Sequence, residues 1–154
     1  MSAALLAGCG GGPGPVHVTG PSVTGSVRAQ CSRLVAALPQ HVAGKERRDV
    51  TPAGALAGAW GDPAVVLHCG VPRPAALRPT SYCFEIDHVG WLATQHGKAV
   101  SVTSPVQGTL DFTTIGRSVY VEVSVPDAYA PQADALADVA GAVARTTRLL
   151  KPCS

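Results

Sequence analysis

The chain has 154 residues, a formal net charge of +2 and only 14% charged residues. That is enough chain for one core of ordinary size and too little positive charge for a nucleic-acid surface, and no basic stripe with interleaved aromatics is present. Much of the 46% hydrophobic fraction is alanine and valine, and past the leader no segment has the ~20 consecutive apolar residues of a membrane-crossing helix.

Residues 1–9 read as a truncated lipoprotein signal remnant ending in the lipobox-like Leu6-Ala7-Gly8-Cys9, with Cys9 as the lipidation site. Residues 10–28 form a Gly/Pro-rich tract without periodicity, expected to be a linker, and His17 within it is read as solvated. A single disulfide-bonded domain is expected over residues 29–154. Cys31, Leu34, Val35 and Leu38 recur at i, i+3, i+4 and i+7, which predicts a helix stopped by Pro39. The charged Lys45-Glu46-Arg47-Arg48 reads as a solvated turn leading to a short strand. Thr51-Pro52 resembles a helix start, with Ala53 to Trp60 supplying a turn or two.

Ala64 to Leu67 predicts a strand opened by Asp62-Pro63 and closed by Gly70. Three prolines between Gly70 and Pro79 exclude regular pairing and make that segment a loop. Extended chain resumes over Tyr82 to Asp87, Val89 to Ala93, Ala99 to Ser104 and Thr109 to Ile115. Val119, Val121, Val123 and Val125 alternate with Tyr120, Glu122 and Ser124, the clearest period-two segment. From Pro131 to about Leu149, the apolar positions Leu136, Val139, Ala140 and Val143 define the best helix. The order predicts an α+β fold: an antiparallel sheet of about five or six strands, with an N-terminal and a C-terminal helix packed on one face.

Setting Cys9 aside leaves Cys31, Cys69, Cys83 and Cys153, an even number with no C-x-x-C, which suits an oxidising compartment. Of the three possible pairings, Cys69 with Cys83 and Cys31 with Cys153 is favoured. The first bridge would close a loop of roughly 15 residues at its base.

With these segments laid out, the chain resembles an actinobacterial family, the domain of unknown function 3515 family. The likeness rests on Cys31, Leu34 and Ala37-Leu38-Pro39, on Arg47-Arg48, on Ala59-Trp60-Gly61-Asp62-Pro63 and on Leu67 with Cys69-Gly70-Val71-Pro72. It continues through Cys83, Val89-Gly90-Trp91, Phe112-Thr113-Thr114, Gly116-Arg117, Val121 to Pro126 and Cys153. The resemblance implies a lipoprotein or secreted envelope protein, at the outer face of the plasma membrane or beyond it. It implies no activity.

No Gly-x-Ser-x-Gly elbow, His-Glu-x-x-His, phosphate loop or dinucleotide fingerprint is present, so no catalytic residue and no cofactor is assigned. His68, Cys69, Cys83 and His88 have the types for zinc, but oxidised cysteines would consume the thiolates, so no metal is assigned. Glu85 and Asp87, two apart on one expected strand, read as its wet face. Arg117, at a turn after Gly116, could clamp a carboxylate or phosphate, or pair structurally with Asp111 or Glu122. Trp60 and Trp91 could floor a ligand site or fill the core. Three functions follow. The preferred one is a non-catalytic envelope module contacting an envelope protein or cell-wall component, held by a lipid anchor and without nucleic acid. The others are a secreted inhibitor-like module using the Cys69–Cys83 loop, and an envelope enzyme with Asp87, His88 and Arg117 in one pocket.

Overall fold

A computed structural model describes residues 12–103 and 106–153. The lipidation candidate, Cys9, lies outside them, as does Ser104, the end of the strand expected from Ala99; of that strand's described residues, only Ala99 is in a strand. The elements run β1 (Val16–His17), α1 (Gly25–Ala37), β2 (His41–Val42), β3 (Lys45–Arg48), β4 (Val50–Thr51), β5 (Ala57–Trp60) and β6 (Val65–Cys69). They continue with β7 (Phe84–Ile86), β8 (Val89–Gln95), β9 (Lys98–Ala99), β10 (Leu110–Ile115) and β11 (Val121–Val125). Two 3-10 turns then lead into α2 (Ala135–Thr146).

The architecture is α+β with an antiparallel main sheet in the order β2-β3-β5-β6-β11-β10-β8-β7, and β9 also pairs with β8. Among the described residues this sheet has nine strands rather than five or six. The added strands are two to four residues long, too short to produce a period-two signal. Lys45–Arg48 is itself one of them, paired with β2 and β5.

The helix expected across Ala53 to Trp60 is instead a turn followed by β5, whose four residues are all buried between β3 and β6. Local composition favoured neither state, and packing decided. A Cβ at Gly58 would lie 2.6 Å from Leu38 Cδ1 and 2.9 Å from the Trp60 ring, so the small residues admit those side chains. The Trp60 indole nitrogen donates to the Pro39 carbonyl at 3.0 Å.

Part of the tract read as a linker carries structure. Val16–His17 pairs in parallel with Val50–Thr51, Val18 is buried, and α1 begins at Gly25, ahead of Ala29. Polar composition hid this because the pairing is short and uses backbone groups. Arg47, within the charged run, donates to the carbonyls of Leu38 and Val35 at 3.2 and 3.0 Å and so closes the C-terminal end of α1. Arg48 reaches the Gly61 carbonyl at 2.7 Å.

Leu34, Trp60, Leu67, Trp91, Phe112 and Leu136 form the centre of the core, each with at most trace exposure. The apolar stripe of α2 is buried as its spacing predicted, and α2 contacts α1, β2, β7, β8 and β11. It stops at Thr146, short of Leu149, because residues 147–151 turn into an extended segment along Gly116–Ser118. There Ser118 N–H donates to Arg148 O, and Leu150 and Lys151 N–H donate to Gly116 O.

The cysteines pair differently from the sequence expectation. The bridges are Cys31–Cys69 and Cys83–Cys153, with Cα separations of 5.4 and 5.7 Å. Cys69 ends β6 and Cys83 precedes β7, and three strands separate those two in the sheet. Four inter-strand spacings amount to about 19 Å, far beyond the ~7 Å limit for a bridge. The expected Cys69–Cys83 pair is therefore excluded by sheet order, and the expected Cys31–Cys153 pair falls with it, since those two cysteines are bonded to Cys69 and Cys83.

Candidate functional site

The proline-rich segment between β6 and β7 is a loop, and its two ends are held by different bridges. Cys69 ties its start to α1, and Cys83 ties its end to the C-terminal segment. Within it, prolines 72, 74 and 79 remove backbone donors, while Leu77 N–H donates to Pro74 O and Ser81 N–H to Arg78 O, each at 3.0 Å. Arg73 Nη2 donates to Leu77 O and Arg78 Nη1 to Ala75 O, both at 2.8 Å. The loop thus braces itself with its own cations.

Beneath it lies a groove of about 310 Å³, bounded by the loop, the end of β10, Tyr120 and the segment from Lys151 to Cys153. Arg73 and Arg78, both from the loop, and Lys151, from a distant stretch of sequence, line it. Among the described residues no carboxylate lines the groove or pairs with any of these three cations.

Arg117, singled out from the sequence, is 8% exposed and clamps the backbone. Nη1 donates to Thr147 O at 3.1 Å and Nη2 to His88 O at 2.8 Å; neither Asp111 nor Glu122 is its partner. Burial pulls its pKa below the ordinary arginine value, with Glu85 opposing the shift. Asp87 is not on a strand beside Glu85: Asp87 and His88 form the exposed two-residue turn between β7 and β8, with φ of 47° and 65°. Arg117 and this turn are neighbours, joined through the His88 carbonyl. Trp60 and Trp91 are both fully buried in the core, where neither ring can be reached as a floor. Cys69 and Cys83 sit in separate bridges, so the zinc set has no thiolate, and among the described residues no cluster suits a metal ion.

A polar row on the sheet face opposite the core escaped the sequence reading. Val65, Leu67 and Cys69 point inward, so His68 points outward. Register sets His68 opposite Glu122, and Glu122 opposite Thr113. Asp111 stands one row away, accepting from Ser124 Oγ at 2.5 Å. Burial raises the Glu122 pKa, with Asp111 adding to the rise and the Thr113 hydroxyl opposing it. Burial lowers the His68 pKa against the opposing charge of Asp111. The alternation of β11 had signalled this face; which residues meet across it depends on strand order.

The family model described as protein of unknown function (DUF3515) matches residues 4–150. No curated protein and no solved structure matches the chain.

Proposed function

The chain belongs to the DUF3515 family of proteins of unknown function, the match covering nearly all of it, and we propose that it is a non-catalytic binding module of the actinobacterial cell envelope. In this reading it is lipid-anchored through Cys9 at the outer face of the plasma membrane, or secreted, and contacts an envelope protein or cell-wall component without nucleic acid. The observation that carries the reading is the loop of residues 70–82 suspended between two disulfides. Two disulfides suit an oxidising compartment. A loop already ordered loses little conformational freedom when a partner engages it. Both helices are read as lying on one face of the sheet, supported by the Cys31–Cys69 bridge and the contacts of α2 with α1.

The same loop supports an inhibitor-like module as the second reading, with the loop inserted into a partner's cleft. An envelope enzyme has less support, since Asp87 lies on an exposed turn and the Arg117 guanidinium holds backbone carbonyls.

The test has two parts. Intact-mass measurement on protein from the native envelope is expected to give a lipidated Cys9 and two fewer hydrogens for each of the two bridges. Crosslinking in the same membranes is expected to capture a partner that alanine substitutions at Arg73, Leu77 and Arg78 release. Free thiols at the four domain cysteines, or a partner indifferent to the loop, would sink the reading.

A further inference from the structure

The geometry points to the groove beneath the loop as a binding site for a phosphate ester, with Arg73, Arg78 and Lys151 as its cationic ligands. The inference rests on the reading of the loop as a binding element and names the chemistry that the element takes.

The whole chain carries a formal net charge of only +2, yet three cations line this one groove, and among the described residues none of them has an acidic partner. Such a concentration of like charge is repulsive in the empty protein and is relieved by an anion. The two guanidinium groups are already oriented. Each gives one nitrogen to a loop carbonyl, Arg73 Nη2 to Leu77 and Arg78 Nη1 to Ala75, which restricts the side chain and leaves its remaining N–H donors for a ligand. Lys151 is placed from the opposite wall: its backbone N–H donates to Gly116 O at 3.0 Å, and the adjoining Cys153 is bonded to Cys83. Three cationic donors match a tetrahedral, doubly charged oxyanion better than a planar carboxylate with one charge. Tyr120 and Ile115 add an aromatic and an apolar wall, and about 310 Å³ accommodates a phosphate with a small polyol attached. The phosphate could be free, or could terminate a lipid or a wall polymer.

Calorimetric titration of the disulfide-intact protein with inorganic phosphate, glycerol 3-phosphate and glycerol tests the site, with sedimentation on phosphatidic acid vesicles as the lipid arm. Phosphate-bearing probes are expected to bind and glycerol is not. The double variant Arg73→Gln/Arg78→Gln, and separately Lys151→Gln, should weaken binding by about tenfold or more, whereas Lys98→Gln, on the distant β8–β9 hairpin, should not. Binding to vesicles alone, lost in the same variants, would assign the source as a lipid headgroup. No binding of any probe at about 10 mM, or equal loss in Lys98→Gln, would overturn the proposal. Amide shifts on phosphate addition must fall at Ile115, Tyr120 and the loop, and shifts confined elsewhere would also overturn it. A loop-dependent partner captured from membranes alongside a failed phosphate titration would remove this inference and leave the binding-module reading standing.

Discussion

The Arg117 guanidinium reaches the His88 carbonyl at 2.8 Å while its other terminal nitrogen holds Thr147 O at 3.1 Å. One side chain thereby fastens the β7–β8 turn to the end of α2, and the isolated pairing of Arg117 with Leu149 extends the same seam. A buried hydrogen bond from a charged donor contributes about 1.5–3 kcal/mol. Arg117→Met should therefore lower unfolding free energy by about 3 kcal/mol in urea titration, with Arg117→Lys intermediate. Loss below about 0.5 kcal/mol would show that the clamp is dispensable.

Disulfide mapping without prior reduction should release Cys31 linked to Cys69 and Cys83 linked to Cys153. The bridges span 38 and 70 residues, and each stabilises by about 4 kcal/mol in the chain-entropy model. The pair of substitutions Cys83→Ser/Cys153→Ser should in addition loosen the groove, since it frees both the loop end and the segment bearing Lys151. Increased proteolysis confined to those two stretches is the expected signature.

Stability against pH should show two opposing slopes from the outer sheet face. Glu122 is raised above its ordinary 4.5, so the fold binds its proton more tightly than the unfolded chain does, and that contribution is lost as pH climbs through the raised value. His68 is lowered below 6.5, so its contribution is whole above 6.5 and is lost as pH falls through the lowered value. Glu122→Gln should raise stability at neutral pH and leave a profile that rises with pH toward 6.5. His68→Gln should remove that rise. Denaturant midpoints taken from pH 4 to pH 8 decide the matter, and unchanged profiles in both variants would show the row to be electrostatically inert.

The Asp87-His88 turn places two residues with side chains at positive φ, where hairpins of this kind prefer Asn-Gly. Asp87→Asn/His88→Gly should stabilise by about 1 kcal/mol, because the left-handed conformation is unfavourable for a residue carrying a Cβ. The His88 carbonyl that Arg117 uses belongs to the backbone and survives the change. A fall in thermal midpoint would mean that the His88 side chain matters, through its 3.8 Å approach to Glu85.

Several elements were legible because their signal is local. Leu136, Val139, Ala140 and Val143 recur at helical spacing and are all buried on α2, and Val121, Val123 and Val125 alternate and are all buried on β11. The Gly70 to Pro79 loop followed from proline chemistry alone. Arg117 could be picked out as a residue of consequence at its turn, but its partners are carbonyls of residues 29 and 30 positions away, which no pattern of side chains announces.

From its residues, then, the chain could be read as an α+β domain with four cysteines beyond Cys9 and one proline-rich loop, since periodicity reports which side of an element is apolar and proline reports where pairing stops. Strand order, the partner of each cysteine, the strand at Ala57–Trp60 and the meeting of Arg73 and Arg78 with Lys151 emerged only on folding. Each depends on which elements become neighbours. That choice is made by long-range burial, as when Leu38 and Trp60 settle over Gly58, and burial of that kind leaves no mark in the local sequence.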